Sequence, residues 1–401
     1  MPLVADLERE LARRADAGLR RTRRCLDGPQ GPRVVVDGRE LLAFASNDYL
    51  GLASHPALVA AVREAAARWG VGAGASHLIC GHFAPHEALE TELAAFVRPC
   101  RGARALTFST GYLANLAILT ALAGRDDAVF ADRLDHACLN DGALLSRAAF
   151  VRYPHGDVAA LRARLATSTV RRRLIATDAV FSMDGDIAPL PELLALADEF
   201  DAWLVVDDAH GFGVLGQGVG SGGGRGTVAH FGLESDRIVY MGTLGKAAGV
   251  AGAFVAAHPA VVETLVQTAR PYVFTTAAPP LLAVALQASL AIIRDDAPRR
   301  AHLFALVARF REGMRGLPWR LLPSTTPIQP LVVGANEAAV ALADALWKRG
   351  IWIPAIRPPT VPSGTARLRI TLTAAHTTSD VDALVAALAE LAPGCARSDL
   401  Q

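Results

Sequence analysis

Leu204-Val205-Val206-Asp207-Asp208-Ala209-His210 is the stretch whose reading decides the fold. Its three aliphatic residues read as a buried strand, and two carboxylates follow at once. A carboxylate at a buried strand end is best kept charged by a cation beside it, since an opposite charge lowers an aspartate pKa by roughly 1–3 units. In an open α/β sheet, ligands bind outside the carboxyl ends of the strands. Alone, Asp-Asp-Ala-His also fits a metal site or a capped turn. Outward from it, short apolar runs alternate with helical patterns from about residue 47 to 278, as in a parallel sheet wrapped by helices. Candidate strands are 105–108, 128–130, 174–176, 204–206, 238–241 and 253–256. Beyond Pro279-Pro280, Ala/Leu-rich helices and strand-like runs at 330–333 and 367–371 predict a smaller α+β domain. The expected divisions are 1–46, an N-terminal helix and connection; 47–280, a large domain; and 281–401, a C-terminal domain.

At 401 residues, 52% hydrophobic and 20% charged, the chain can bury a large core. A formal charge of +1 gives no global field for nucleic acid, and no apolar run is long enough to span a membrane. Cys25, Cys80, Cys100, Cys138 and Cys395 show neither CxxC pairs nor framework spacing, and no metal is expected. They read as small buried hydrophobes in a reducing cytoplasm. Residues 3–24 read as one amphipathic helix with arginines on its polar faces, broken at Gly28-Pro29. The glycine-rich 216–226 segment lacks a phosphate-loop pattern and reads as a connection.

The other strand ends carry chemistry too. Ser109-Thr110-Gly111-Tyr112 opens a helix over 113–123, where backbone N–H groups can hold an anion, or Ser/Thr can simply cap the helix. Another run delivers Asp135-His136, and another Phe181-Ser182-Met183-Asp184-Gly185-Asp186. The strand at 238–241 ends at Gly242-Thr243-Leu244-Gly245-Lys246. Lys246 is conspicuous because the chain has only two lysines among its 40 basic residues. Lysine, unlike arginine, can lose its proton and attack a carbonyl. A phosphate site, an aromatic stacker, a hydroxyl, an Asp/His pair and one lysine together describe pyridoxal 5′-phosphate (PLP). Asp207 would hold its ring nitrogen protonated, Ser182 and His210 would address the phenolic oxygen, and Lys246 would carry the aldehyde.

The chain resembles the α-oxoamine synthases, fold-type-I PLP-dependent enzymes, along nearly its whole length. The carriers are Ser46-Asn47-Asp48-Tyr49-Leu50-Gly51-Leu52, the 181–186 run, Asp207-Asp208-Ala209-His210-Gly211, the lysine turn, and Arg357-Pro358-Pro359-Thr360-Val361-Pro362. The resemblance implies an α/β fold with a mostly parallel seven-stranded sheet and a homodimer. It implies Lys246 bonded to the cofactor, His136 stacked on its ring, Asp207 at its nitrogen, and Ser182 and His210 beside its oxygen. Gly111, Tyr112 and Thr243 place the cofactor and its phosphate, with Thr275 and Thr276 reaching across from the partner subunit. Asn47 and Arg369 would bind an amino-acid carboxylate. Arg21, or its neighbour Arg20, and Thr360 would contact the acyl substrate.

The 357–369 region points to the biotin-pathway branch, which condenses L-alanine with a pimeloyl thioester of coenzyme A or acyl-carrier protein. Glycine-using relatives and serine palmitoyltransferase share nearly all the cofactor residues. A Ser182/His210/Asp207 hydrolase lacks GxSxG and leaves Lys246 without a role. A nicotinamide dehydrogenase lacks GxGxxG after an early strand. The chain departs from the family pattern at Ala247-Ala248, where packing should be affected, and at Ser76-His77 with Gly81-His82-Phe83, where substrate fit should be.

Overall fold

The computed structural model describes residues 2–216 and 223–395, so part of the expected 216–226 connection lies outside the described residues. They form two compact units, a larger one of residues 48–182, 186–216 and 223–301, and a smaller one of 2–47, 183–185 and 302–395.

The larger unit is built on seven strands: β1 (Arg104–Phe108), β2 (Ala128–Asp132), β3 (Ala149–Tyr153), β4 (Arg173–Asp178), β5 (Ala202–Asp207), β6 (Ile238–Thr243) and β7 (Ala253–Ala257). Their order is β1-β7-β6-β5-β4-β2-β3. Only β7 runs antiparallel to its neighbours. β2 and β6 are buried at every position because helices cover both faces of the sheet, and their sequences are accordingly apolar runs without alternation. The six strands expected here are all present. The seventh, β3, was not legible: at the sheet edge its residues are mostly half-exposed or exposed, and Arg152 interrupts its apolar pattern. Because β1, β2, β4, β5 and β6 point the same way, their carboxyl ends open along one side of the sheet.

In the smaller unit, a four-stranded antiparallel sheet pairs Ile328–Gly334 with Ala366–Thr371 at its centre. A second sheet joins the hairpin Arg33–Val36/Arg39–Ala43 to Ile351–Trp352. Asp37-Gly38, both at positive φ, makes the hairpin turn, a sequence signal of the strongest kind. The helix expected over 3–24 is shorter, spanning Pro2–Asp16. Gly18 at φ +63 ends it: its N–H bonds to Ala15 O at 2.9 Å and the Leu19 N–H to Arg14 O at 2.8 Å, closing the last carbonyls in a left-handed glycine cap. The arginines from Arg20 onward therefore lie outside the helix. Cys100 and Cys138 are buried as expected, but Cys25 and Cys80 are exposed. No helix among the described residues is long and apolar enough to cross a membrane.

Candidate active site

The strand ends of the larger unit enclose a cavity of about 200 Å³. It is lined by Gly111, Tyr112, His136, Ser182, Asp207, His210, Thr243 and Lys246, eight of the residues singled out in the sequence. Cys138, Asp178 and Met241, which the sequence reading did not assign, line it too.

Lys246 follows β6 and is half-buried. Its Nζ lies 2.8 Å from His210 Nε2, and His210 Nδ1 lies 2.5 Å from the hydroxyl of the fully buried Tyr49. Amine, imidazole and phenol thus form one hydrogen-bonded row. Tyr49 was legible only as part of a resembling motif, since nothing local to residue 49 announces a partner at 210.

Asp207 ends β5 and is 5% exposed. Its Oδ2 accepts a hydrogen bond from Asn115 Nδ2 at 2.6 Å and its Oδ1 one from the Ala209 N–H at 3.0 Å. Both donors are neutral, so neither takes the place of a cation in the cavity. Asn115 was missed by sequence reasoning. A lone asparagine in the apolar run Leu113-Ala114-Asn115-Leu116-Ala117 was its one available signal, because a buried amide needs a partner.

The second carboxylate, Asp208, turns away and is fully buried. It accepts the Thr227 N–H at 2.6 Å, the Thr227 hydroxyl at 2.5 Å and the Tyr240 hydroxyl at 2.9 Å. Burial pushes its pKa up to about 7 against those three donors. Of the alternatives left open for Asp-Asp-Ala-His, Asp208 realises the turn-holding one.

His136 caps the helix Ala137–Ser146, its Nδ1 accepting the Cys138 N–H at 3.3 Å, which puts the ring proton on Nε2. Burial, assisted by Lys246, lowers its pKa against the pull of Asp207. Its own N–H donates to Asp178 Oδ1 at 3.3 Å. Asp178 lies beside Asp207 in strand register and Asp135 holds the Asp178 N–H at 2.9 Å. Burial first, then neighbouring carboxylates, raise both Asp135 and Asp178 well above the usual range.

Gly111 begins the helix Gly111–Leu122, and Thr110 caps it by accepting the Leu113 N–H at 3.2 Å. The cap and the anion site are therefore compatible readings. A Cβ at Gly111 would stand 3.5 Å from Met241 Cε, against the cavity lining. Tyr112 is 41% exposed and its hydroxyl bonds to Asp141. Buried Thr243 donates to Gly252 O at 3.2 Å. These residues fit PLP: an amine for the aldehyde, a buried carboxylate for the ring nitrogen, an imidazole at the wall and a helix N-terminus for the phosphate.

Thr275 and Thr276 do not reach this cavity in their own chain; they line a separate small one with His77 and Tyr272. In the smaller unit, Arg21 Nη2 donates to Thr360 Oγ1 at 3.4 Å, and both, with Arg20, line a cleft of about 670 Å³. Arg369, 6% exposed, donates to Asn47 Oδ1 and to Thr371 Oγ1, each at 3.0 Å. At Ala247, a Cβ on Gly213 would approach the alanine methyl to 2.8 Å, so the lysine turn is packed where a small residue is required.

A mostly parallel sheet whose strand ends gather a lysine, a buried aspartate and a histidine around one cavity defines a fold-type-I PLP-dependent transferase. Residues 39–388 match the family of class I and II aminotransferases. The chain is 60% identical to the 8-amino-7-oxononanoate synthase of Aromatoleum aromaticum, over 97% of this chain and 99% of that one. It is 59% identical to that of Nitrosomonas europaea, over 97% and 100%. Among solved structures, a serine palmitoyltransferase from Sphingomonas wittichii superposes with a TM-score of 0.89 at 31% identity, covering 98% of this chain and 97% of that one. The 8-amino-7-oxononanoate synthase of Francisella tularensis gives 0.74 at 30% identity, covering 87% and 97%. The chain belongs to the class I and II aminotransferases and, within them, to the 8-amino-7-oxononanoate synthase family.

Proposed function

We propose that the protein condenses L-alanine with a pimeloyl thioester, releasing carbon dioxide and the carrier thiol to give 8-amino-7-oxononanoate for biotin synthesis. One observation carries this reading: Lys246 and Asp207 line the same cavity, in a chain 60% identical over almost its full length to a relative of that name. When bound, PLP supplies an aldehyde and an electron-accepting ring.

The chain's own residues do the rest. Asp207, held by Asn115 and the Ala209 N–H, keeps a positive ring nitrogen in place. Lys246 would hold the cofactor aldehyde and, as a free amine, take the substrate's α-proton at Nζ, which His210 Nε2 positions at 2.8 Å. His136, with Nε2–H directed outward from its capped Nδ1, donates to the carbonyl oxygen that develops during acyl transfer. Arg369, with Asn47, binds the alanine carboxylate, and Arg21 with Thr360 contacts the acyl chain. The enzyme is a cytoplasmic homodimer in this reading, with Thr275 and Thr276 at the partner's phosphate site.

The test is product analysis with pimeloyl thioesters offered alanine, glycine or serine. Alanine should give 8-amino-7-oxononanoate at the highest kcat/KM, and Lys246→Ala should lose both turnover and the borohydride-fixed cofactor. Faster turnover of glycine with acetyl-coenzyme A would instead assign the chain to the glycine-using relatives' reaction.

A further inference from the structure

His77, His82 and His86 of the larger unit converge where a wide helical turn, His77–Gly81, meets the start of the helix Ala84–Val97. One nitrogen from each ring lies within 4.8 Å of the others. His77 Nδ1 and His82 Nδ1 face each other at 2.9 Å. The outer nitrogen of His82, Nε2, lies 3.1 Å from the Glu87 carboxylate. In His86, Nε2 donates to Ala278 O at 2.9 Å and Nδ1 accepts the Phe83 N–H at 3.0 Å. A carboxylate and a carbonyl hold the outer nitrogens of His82 and His86, as outer partners orient imidazoles on a metal, while the facing Nδ1 atoms of His77 and His82 share one proton and the His86 Nδ1 lone pair takes the Phe83 N–H. The reaction described above uses none of these rings.

We propose that His77 and His82, through their Nδ1 atoms, and His86 as third ligand bind a divalent cation of the zinc class. Two nitrogens at about 2.0 Å from a tetrahedral zinc stand about 3.3 Å apart, so the facing pair needs to open by only about 0.4 Å as the ion displaces the shared proton. His86 joins by exchanging the Phe83 N–H for the ion, and water completes the shell. Imidazole ligands select zinc, nickel or copper over magnesium and calcium, which demand oxygen. The site has a structural consequence. His77 stacks on Tyr272 with ring centroids 5.1 Å apart, and the Ala277 N–H bonds to Ala75 O at 3.0 Å, so the ion ties this turn to the segment bearing Thr275 and Thr276.

The experiment is equilibrium dialysis of untagged, chelator-treated holoenzyme against zinc chloride. One zinc per chain is expected, undisturbed by excess magnesium. His82→Gln, and His77→Phe, which keeps an aromatic ring against Tyr272, should each weaken binding at least about 100-fold; Glu87→Gln, altering a side chain 74% exposed, should weaken it about 10-fold. Retention of the PLP absorbance band reports that each variant is folded. Absence of stoichiometric zinc in the wild type, or wild-type affinity in His82→Gln, overturns the proposal.

Discussion

Asp207 shows how much one buried carboxylate depends on a single neighbour. Its 2.6 Å contact with Asn115 is the shorter of its two close hydrogen bonds, and leaving a buried charged acceptor short of a donor costs about 1–3 kcal/mol. Asn115→Leu should therefore weaken PLP binding by about 10- to 100-fold at unchanged Lys246 chemistry, as read by cofactor titration. A second residue makes a pH prediction. His155 bonds to Asp132 at 3.0 Å and to Asp186 at 2.9 Å, and these two hydrogen bonds raise its pKa to about 10. Between about 6.5, where the unfolded imidazole titrates, and about 10, the folded state holds the extra proton, so stability falls as pH rises. This contribution is fully present below about 6.5. Denaturation midpoints across that window should decline less steeply in His155→Gln than in the wild type.

Among the elements, the turn after β5 is the most tightly specified. Asp208 holds Thr227 and, through it, the returning end of the glycine-rich connection. Gly226 sits at φ +95, and a Cβ there would come within 2.1 Å of Asp208 Oδ2 and 2.4 Å of the Tyr240 hydroxyl. Gly226→Ala should destabilise the protein by about 3 kcal/mol or more, combining backbone strain with a clash against a buried network; urea denaturation measures it. The same turn separates two neighbouring acids into different tasks. In sequence Asp207 and Asp208 are indistinguishable, whereas the strand pleat sends them to opposite sides: Asp207 lines the cavity and Asp208 is enclosed by donors.

At the scale of the whole molecule, the expected homodimer can be tested by complementation. Lys246→Ala subunits and Thr275→Ala/Thr276→Ala subunits are each expected to be inactive or nearly so as homodimers. If the threonines serve the partner's cofactor, hybrids recover activity, because one of their two sites has both the lysine and the threonines intact. Mixed and refolded subunits that stay inactive while sedimenting as dimers would place the threonines' action within their own chain. Within that chain, Thr275 and Thr276 line a cavity without Lys246, as a role toward a partner requires.

The sheet and most of its cavity lining were legible because their causes are local. An apolar run buried on both faces announces a strand, and the residues that close it are carried to the strand end whatever the rest of the chain does; that brings the Asp207-Asp208 pair and Thr243 to the cavity side, with the lysine turn just beyond. The edge strand β3 was hidden because an exposed edge relaxes the apolar pattern, and the N-terminal helix was overextended because Gly18 interrupts the period at a single residue. What only the tertiary structure decided are the partners. Asn115 lies 92 positions from Asp207 and Tyr49 161 positions from His210, separations that no local period encodes. The first contact exists because a helix packs on the sheet and the second because two turns meet, and packing is a property of distances between segments, whereas periodicity is a property of each segment by itself.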